Sequence, residues 1–353
     1  IVLADVFETF RDTCLNSYQL DPVYYYTSPG LFWESMLKKT KVELELLTDY
    51  NMILMMENGI RGGVSTILGD RYVDVENKNF ITNPELSKDD INQEWLLYID
   101  CNNLYGNSMI KKLPQKDFKW LNEKNITDLD YMIRKQQVTG DEDVGYILKV
   151  DLKVPKSEEF HNFPLAPERK TVKYEELSEY SRSMLGSEKM GKCEKLILDL
   201  KDKTDYIIHM KNLLLYQQLG CDFTIKDGIS FFQSNWLEPY VQFNTKMRTE
   251  SRNEFEKDFY KLANNSVFGK TMENVRNYVD IRLSDSWKTA IYYIRKPTFS
   301  RIKIFNDNLV AIHMEHAEVY FNKPVYVGFA VLEHSKHLMY DFYYNKLKKM
   351  FKD

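Results

Sequence analysis

An α/β (α+β) fold assembled from more than one domain is predicted by three features of this 353-residue sequence. Apolar residues recur at helical spacing over 2–15 and again over 253–268. The apolar run 95–100 and the alternating "GYILKVDLKV" (145–154) read as strands. With 43% hydrophobic residues, the chain is long enough to bury two or three cores, and nothing in its composition marks disorder.

Along the chain, Val2, Leu3, Val6, Phe7, Phe10, Cys14 and Leu15 make an amphipathic helix. "TSPG" (27–30) forces a turn before a second helix over "LFWESMLKK". "IRGG" (60–63) is a flexible joint and a candidate domain boundary, because paired glycines allow backbone angles and close approaches that no other residue does. Next comes the strand 95–100, which stops on Asp100. The stretch 121–235 is the size of an inserted subdomain and holds "GYILKVDLKV" and the proline-punctuated loop "HNFPLAPER". "NEFEKDFYKLANNSVF" is a helix expected to stop at Gly269, and "KPVYVGFAVLEHSKHLMYDFYYNKLKKMFKD" reads as a short strand and then a helix to the chain end. There are no internal repeats or low-complexity tracts.

The net charge of −4 argues against a protein that coats nucleic acid over its whole surface, but leaves room for a local basic groove. Cys14, Cys101, Cys193 and Cys221 are far apart and form no C-x-x-C, so neither a disulfide framework nor a zinc ribbon is indicated and a reducing compartment is expected. No 18-residue apolar run and no secretion signal is present, so no membrane partner is expected, and a start at Ile1 is expected of a fragment.

Two places suggest chemistry. Asp100 sits at the tip of a strand that reads as buried, where a lone carboxylate is costly unless a cation or hydrogen-bond donors meet it. It is either a metal ligand or a turn aspartate accepting from the N–H groups of Asn102 or Asn103. On the helix 253–268, at about 100° per residue, Phe255, Phe259, Leu262 and Ser266 form an inward face. Lys257, Lys261, Asn265 and Phe268 gather within about 80° on the other side. Two ammonium groups one turn apart suit a polyphosphate, or form a solvated stripe neutralised by Glu254 and Asp258.

"KLANNSVFG" (261–269) resembles the Lys-x-x-x-Asn-Ser-x-Tyr-Gly motif on the fingers helix of family B DNA polymerases, and "DCNNLYG" (100–106) resembles the Asp-x-x-Ser-Leu-Tyr-Pro motif of their palm. "IRGG" is similar to the Tyr-x-Gly-Gly joint of the protein-primed branch. "YYTSPGLFWESML", "FEKDFYKLANNSVFGKTMENVRN" and "KPVYVGFAVLEHSKHLMYDFYYN" resemble the polymerases of Maverick/Polinton transposons and related large viruses. The resemblance covers almost the whole chain. Phe268 stands where the family pattern has Tyr, Asn103 and Gly106 where it has Ser and Pro, and Ile60 where the joint has Tyr.

The resemblance implies a palm with an antiparallel sheet, helical fingers and inserted terminal-protein regions. It divides the chain into the end of an exonuclease region and linker (1–63), palm (64–120), terminal-protein region 1 (121–235), fingers (236–275), terminal-protein region 2 and connection (276–323) and palm again (324–353). Asp100 would hold one Mg²⁺ of a two-metal site and Lys261 would act in catalysis. Leu104, Tyr105, Lys257, Lys261, Asn265 and Phe268 would bind the nucleotide, with Tyr105 under the sugar. Arg61, Gly62, Gly63, Ser266, Gly269 and Lys270 would meet DNA. The partners implied are template and primer DNA, dNTPs and a terminal priming protein, in the nucleus or at a viral replication site.

A palm of this kind also needs a Tyr-x-Asp-Thr-Asp hairpin, which this sequence does not contain. The pairs Asp128/Asp130 and Asp141/Asp143 lie in polar surroundings, and Asp151, Asp280 and Asp341 are single. Asp5 and Glu8 would follow the last exonuclease motif, so the chain is expected to be the middle of a polymerase, inactive alone. The alternatives are a non-catalytic nucleic-acid-binding remnant of a transposon gene, or an unrelated nuclease pairing Asp100 with Asp151. His313/His316 and His334/His337 have metal-ligand spacing without further ligands, so core or surface roles are expected. Lys346, Lys348, Lys349 and Lys352 form either a DNA-touching patch or a solvated helix end.

Overall fold

The structure is a computed structural model and describes residues 2–64, 98–185 and 191–351. The first part is helical, with α1 (Val2–Tyr18), α2 (Ser28–Thr40) and α3 (Tyr50–Gly59). Pro29 in the first turn starts α2, and Lys41 in the left-handed conformation (φ 52°) ends it. Asp49 caps α3 by accepting from Asn51 N–H at 2.8 Å. The short α4 (Leu104–Met109) leads into β1 (Leu113–Trp120), α5 (Glu123–Arg134) and β2 (Val144–Lys153). After these come β3 (Glu168–Lys170), α6 (Glu179–Met184), β4 (Lys195–Ile197), β5 (Lys203–His209), α7 (Met210–Gln218) and β6 (Asp222–Ser234).

β1, β6, β2 and β5 form, in that order, a four-stranded antiparallel sheet. Because side chains alternate along a strand, the two faces feed two cores. Ile147, Ile207, Ile229 and Phe231 point into the core shared with α2, α3 and the C-terminal helix. Leu148, Val150, Leu152, Tyr206 and Ile208 point to the core under α5 and α7. The 120/121 boundary expected from sequence falls at the end of β1, so the sheet spans it.

The helices α8 (Glu238–Glu250) and α9 (Glu254–Thr271) form a hairpin. A small antiparallel sheet follows, with β7 (Asp280–Ser284), α10 (Trp287–Ile294), β8 (Phe299–Asn306) and β9 (Leu309–Met314) in strand order β7-β9-β8. The last helix is α11 (Val325–Asp341), continued by a wider π turn over Phe342–Leu347 and the short α12 (Lys348–Met350). At Gly328, α11 passes so close to the end of α9 that a Cβ would collide with the side chains of Met272 and Thr271.

Four expectations are corrected. The short strand read in "KPVYVGFAV" is helix from Val325, because Tyr326 through Lys336 are all buried. A helix enclosed on every side carries β-branched and aromatic residues all round and loses its period. α9 runs through Gly269 to Thr271, two residues past its expected end. Its buried face is centred on Tyr260, Ala263 and Val267, whereas Phe255 and Leu262 are 42% and 48% exposed. Of the expected strand 95–100, residues 95–97 lie outside the described residues, and Tyr98, Ile99 and Asp100 are exposed and outside any strand.

Candidate functional site

Two sequence motifs, more than 150 residues apart, meet here. Tyr105 of α4 and Phe268 of α9 stack with ring centroids 4.6 Å apart and planes 21° apart. Gly63 of the joint adjoins them, since a Cβ there would lie 3.8 Å from the Tyr105 hydroxyl. α9 is held by a buried chain of hydrogen bonds. The Tyr18 hydroxyl donates to Asn244 Oδ1 at 2.7 Å, and Asn244 Nδ2 donates to Asn264 Oδ1 at 2.8 Å. With α1, α8 and α9 locked together, the outward face of α9 is fixed.

That face borders a cavity of about 250 Å³ lined by Asn103, Thr245, Arg248, Thr249, Lys257, Lys261 and Asn264. Three cations therefore look into one space. Lys257 is paired with Glu254 at 2.7 Å, so the solvated-stripe alternative holds in part. The hydrogen bond from Lys257 lowers the Glu254 carboxyl below its ordinary value. No ion pair of Lys261 or Arg248 occurs among the described residues. Arg248 was missed from sequence. In an antiparallel hairpin, residues about equally far from the turn face each other, and Arg248 stands three residues before "SRN" and Lys257 four after it.

Other expected site residues are placed as follows. Leu104 is half-buried, and Asn265 and Gly269 are exposed on the same side of α9 as Lys261. Ser266 is buried (7% exposed) and faces away from that side. Lys270 is engaged by Glu273 at 2.8 Å. Arg61 does not fit the expected phosphate contact. It is buried, donates to Ile207 O at 2.8 Å and lies over the Tyr206 ring at 3.8 Å. Gly62 has open space where a side chain would be.

Asp100 is exposed, three residues before Asn103. Among the described residues no group of three or more His, Cys, Asp or Glu could hold a metal ion. The other candidate carboxylates are mostly engaged. Asp130 meets Arg134 at 2.8 Å, Asp141 meets Lys211 at 2.6 Å, Asp143 meets Lys112 at 2.7 Å and Asp151 meets Lys226 at 2.9 Å. Asp280 pairs with Arg282 at 2.9 Å, and Asp341 accepts from Asn345 at 2.8 Å. The Asp151 ion pair gives the nuclease alternative no support. Asp100 fits Mg²⁺ as a single hard oxygen ligand, the case in which substrate phosphates and water complete the shell.

A second polar assembly, not foreseen, surrounds α11. Glu333 is buried and accepts from His209 N–H at 3.1 Å and Asn212 Nδ2 at 2.9 Å, and pairs with Lys336 at 2.5 Å. Burial opposes its ionisation, but Lys336, Arg61 and Asn212 outweigh that and hold the carboxyl below its usual range. His334 bonds Lys112 O at 3.0 Å through Nε2, and burial brings His334 and His337 down to about 4. His334 is buried and His337 half-buried. His313 is half-buried and His316 exposed. In the C-terminal patch Lys348 reaches Glu159, Lys346 and Lys349 are exposed, and Lys352 lies outside the described residues.

Comparison with known proteins supplies the family. The model described as DNA polymerase type B, organellar and viral, matches residues 1–348. No curated protein matches the sequence. Among solved structures, Phi29 DNA polymerase in an orthorhombic crystal form is 16% identical, with a TM-score of 0.48 over 90% of this chain and 47% of that one. Phi29 DNA polymerase complexed with primer-template DNA and incoming nucleotide substrates is 15% identical, with a TM-score of 0.45 over 90% of this chain and 46% of that one. The chain thus spans less than half the length of the polymerases it matches.

Proposed function

The chain belongs to the organellar and viral type B DNA polymerases, and from that premise we propose that it carries the nucleotide-binding part of a protein-primed, DNA-directed DNA polymerase. The observation that carries this reading is that α9 bears both Phe268, stacked on Tyr105, and Lys257 and Lys261, which with Arg248 line a cavity whose wall includes Asn103, two residues from Tyr105. A nucleoside triphosphate has the complementary shape, an aromatic base and a polyanionic tail.

Phosphoryl transfer asks a protein mainly for positioning and charge stabilisation. Lys261, Lys257 and Arg248 would bind the triphosphate and stabilise charge as the α-phosphate is attacked. Tyr105 would lie under the sugar and exclude a 2′-hydroxyl, while Phe268 and Asn265 would line the base pair. Asp100 would be the protein ligand of Mg²⁺, which when bound neutralises the triphosphate and the departing pyrophosphate. Gly62, Gly63 and Lys270 would lie near the template.

In this reading α8 and α9 are the fingers, the four-stranded sheet spans palm and terminal-protein region 1, and 276–323 is terminal-protein region 2. Transfer begins on a terminal protein or a DNA 3′-hydroxyl, in replication of transposon or viral DNA in the nucleus or at a viral replication site. Among the described residues no helix is long and apolar enough to cross a membrane. Since the sequence has no Tyr-x-Asp-Thr-Asp motif, the 353-residue chain alone is expected not to extend a primer. Asp100-dependent extension would refute that expectation.

The test is a titration of the chain with dATP and Mg²⁺. Binding should weaken on Lys261→Ala, an exposed position whose loss leaves the core untouched. Equal affinity in the variant would refute the assignment.

A further inference from the structure

We propose that a second cavity, at the C-terminal end of α9, is a ligand site for a nucleoside monophosphate, either free or as one unit of a strand. The cavity has a volume of about 430 Å³ and shares no residue with the one that Arg248, Lys257 and Lys261 face. Lys257 lines the first and Met272 the second, and at the rise of a helix they stand about 22 Å apart. That is too far for one nucleotide to fill both, so the inference does not rest on the reading of the first cavity.

The walls come from separate stretches of the chain. Leu47, Ile53 and Val275 are buried and give the cavity an apolar floor. Phe321 is half-buried, and the Arg276 guanidinium lies over its ring at 4.7 Å. An aromatic ring and a guanidinium are the surfaces on which nucleobases stack. The inner charges are already matched. Arg276 donates to Glu57 at 2.9 Å, and Glu273 meets Lys270 at 2.8 Å and Lys323 at 3.5 Å, so neither carboxylate stands free to repel an anion.

The cation left for a ligand is Arg169 of β3. Side chains alternate along a strand, and its neighbours Glu168 and Lys170 turn to Lys203 at 3.5 Å and Asp199 at 2.6 Å. Arg169 lines the cavity instead, is exposed, and makes no ion pair among the described residues. The fitting ligand has a flat apolar body for the floor and one anionic group for Arg169, whose guanidinium suits a phosphate in two-point contact. A nucleobase with its 5′-phosphate has both. Asn274 adds a polar contact, since its Oδ1 accepts from Arg276 N–H at 3.1 Å and its Nδ2 can donate to a base edge.

The full chain is titrated by calorimetry with dAMP, with 2-deoxyribose 5-phosphate and with a short single-stranded oligo(dA), and each variant's thermal midpoint is recorded. All titrations are repeated in the Lys261→Ala chain, so that the first cavity does not mask the second. dAMP should bind in both, and the sugar phosphate at least about tenfold more weakly, because it leaves the apolar floor empty. Arg169→Glu should weaken dAMP by about tenfold or more without moving the midpoint. If that variant folds poorly, Phe321→Leu keeps the apolar bulk, removes the ring and should weaken dAMP but not the sugar phosphate. Oligo(dA) weakened together with dAMP in Arg169→Glu marks a strand as the source of the ligand, and oligo(dA) left unchanged marks the free nucleotide. Absence of dAMP binding, or dAMP affinity in Arg169→Glu within about twofold of the unaltered chain, would overturn the inference. So would dAMP binding that disappears in Lys261→Ala, which would assign it to the first cavity and leave that reading standing.

Discussion

Between α8, α9 and α4, three cations face open space and only Lys257 has a carboxylate partner there among the described residues. Along α11, Glu333, Lys336, His334 and Ser335 are buried, and each has a partner in the protein. The two assemblies use similar residues to opposite ends. A charge left exposed and unmatched is available to a ligand, whereas a buried, paired charge orders the fold and cannot be removed singly without leaving its partner stranded.

The contrast can be broken at either side. Glu333→Ala should have the largest effect. It leaves Lys336 buried without a counter-charge, and unfolding by urea should show a loss of about 3–5 kcal/mol, with nucleotide affinity of the folded fraction retained. Lys261→Ala should do the reverse, weakening dATP by about tenfold to a hundredfold with the urea midpoint unmoved.

Acid should sharpen the difference. His334 and His337 are held at about 4, below their ordinary 6.5, by burial. Their contribution to stability is therefore complete above pH 6.5 and lost as pH falls toward 4, on the order of a few kcal/mol in all. Denaturation midpoints measured between those pH values should fall with acid. The smallest change is expected from Glu254→Gln, which frees the exposed Lys257 from its pair. Nucleotide affinity should rise by less than about twofold, since such pairs are worth little in water.

The sequence showed most clearly what has one buried face. α2 and α9 carry their period because one side meets the core and the other meets water, whereas β2 feeds a core on each face and Val2, Leu3, Val6, Phe7 and Leu15 of α1 are exposed. α11 was misread at its start because it has no exposed side over Tyr326–Lys336. The same distinction runs through the site. Lys257, Lys261, Tyr105 and Phe268 stood out because their motifs are local. Arg248 became visible only when the hairpin closed. Arg61 turned inward because Ile207 O and Tyr206, far along the chain, offer its guanidinium an acceptor and a ring. The buried ion pair of α11 lies within "LEHSK", yet nothing in that string says which side of the helix is covered.

The most direct measurement is photolabelling of the chain with an azido-adenine dATP analogue, followed by tryptic mapping. The label should appear in residues 262–270, which contain Asn265 and Phe268, and in residues 89–111, which contain Tyr105, and excess dATP should displace it. Labelling confined to other peptides, or labelling in these two that dATP does not displace, would contradict the placement of the nucleotide between α4 and α9.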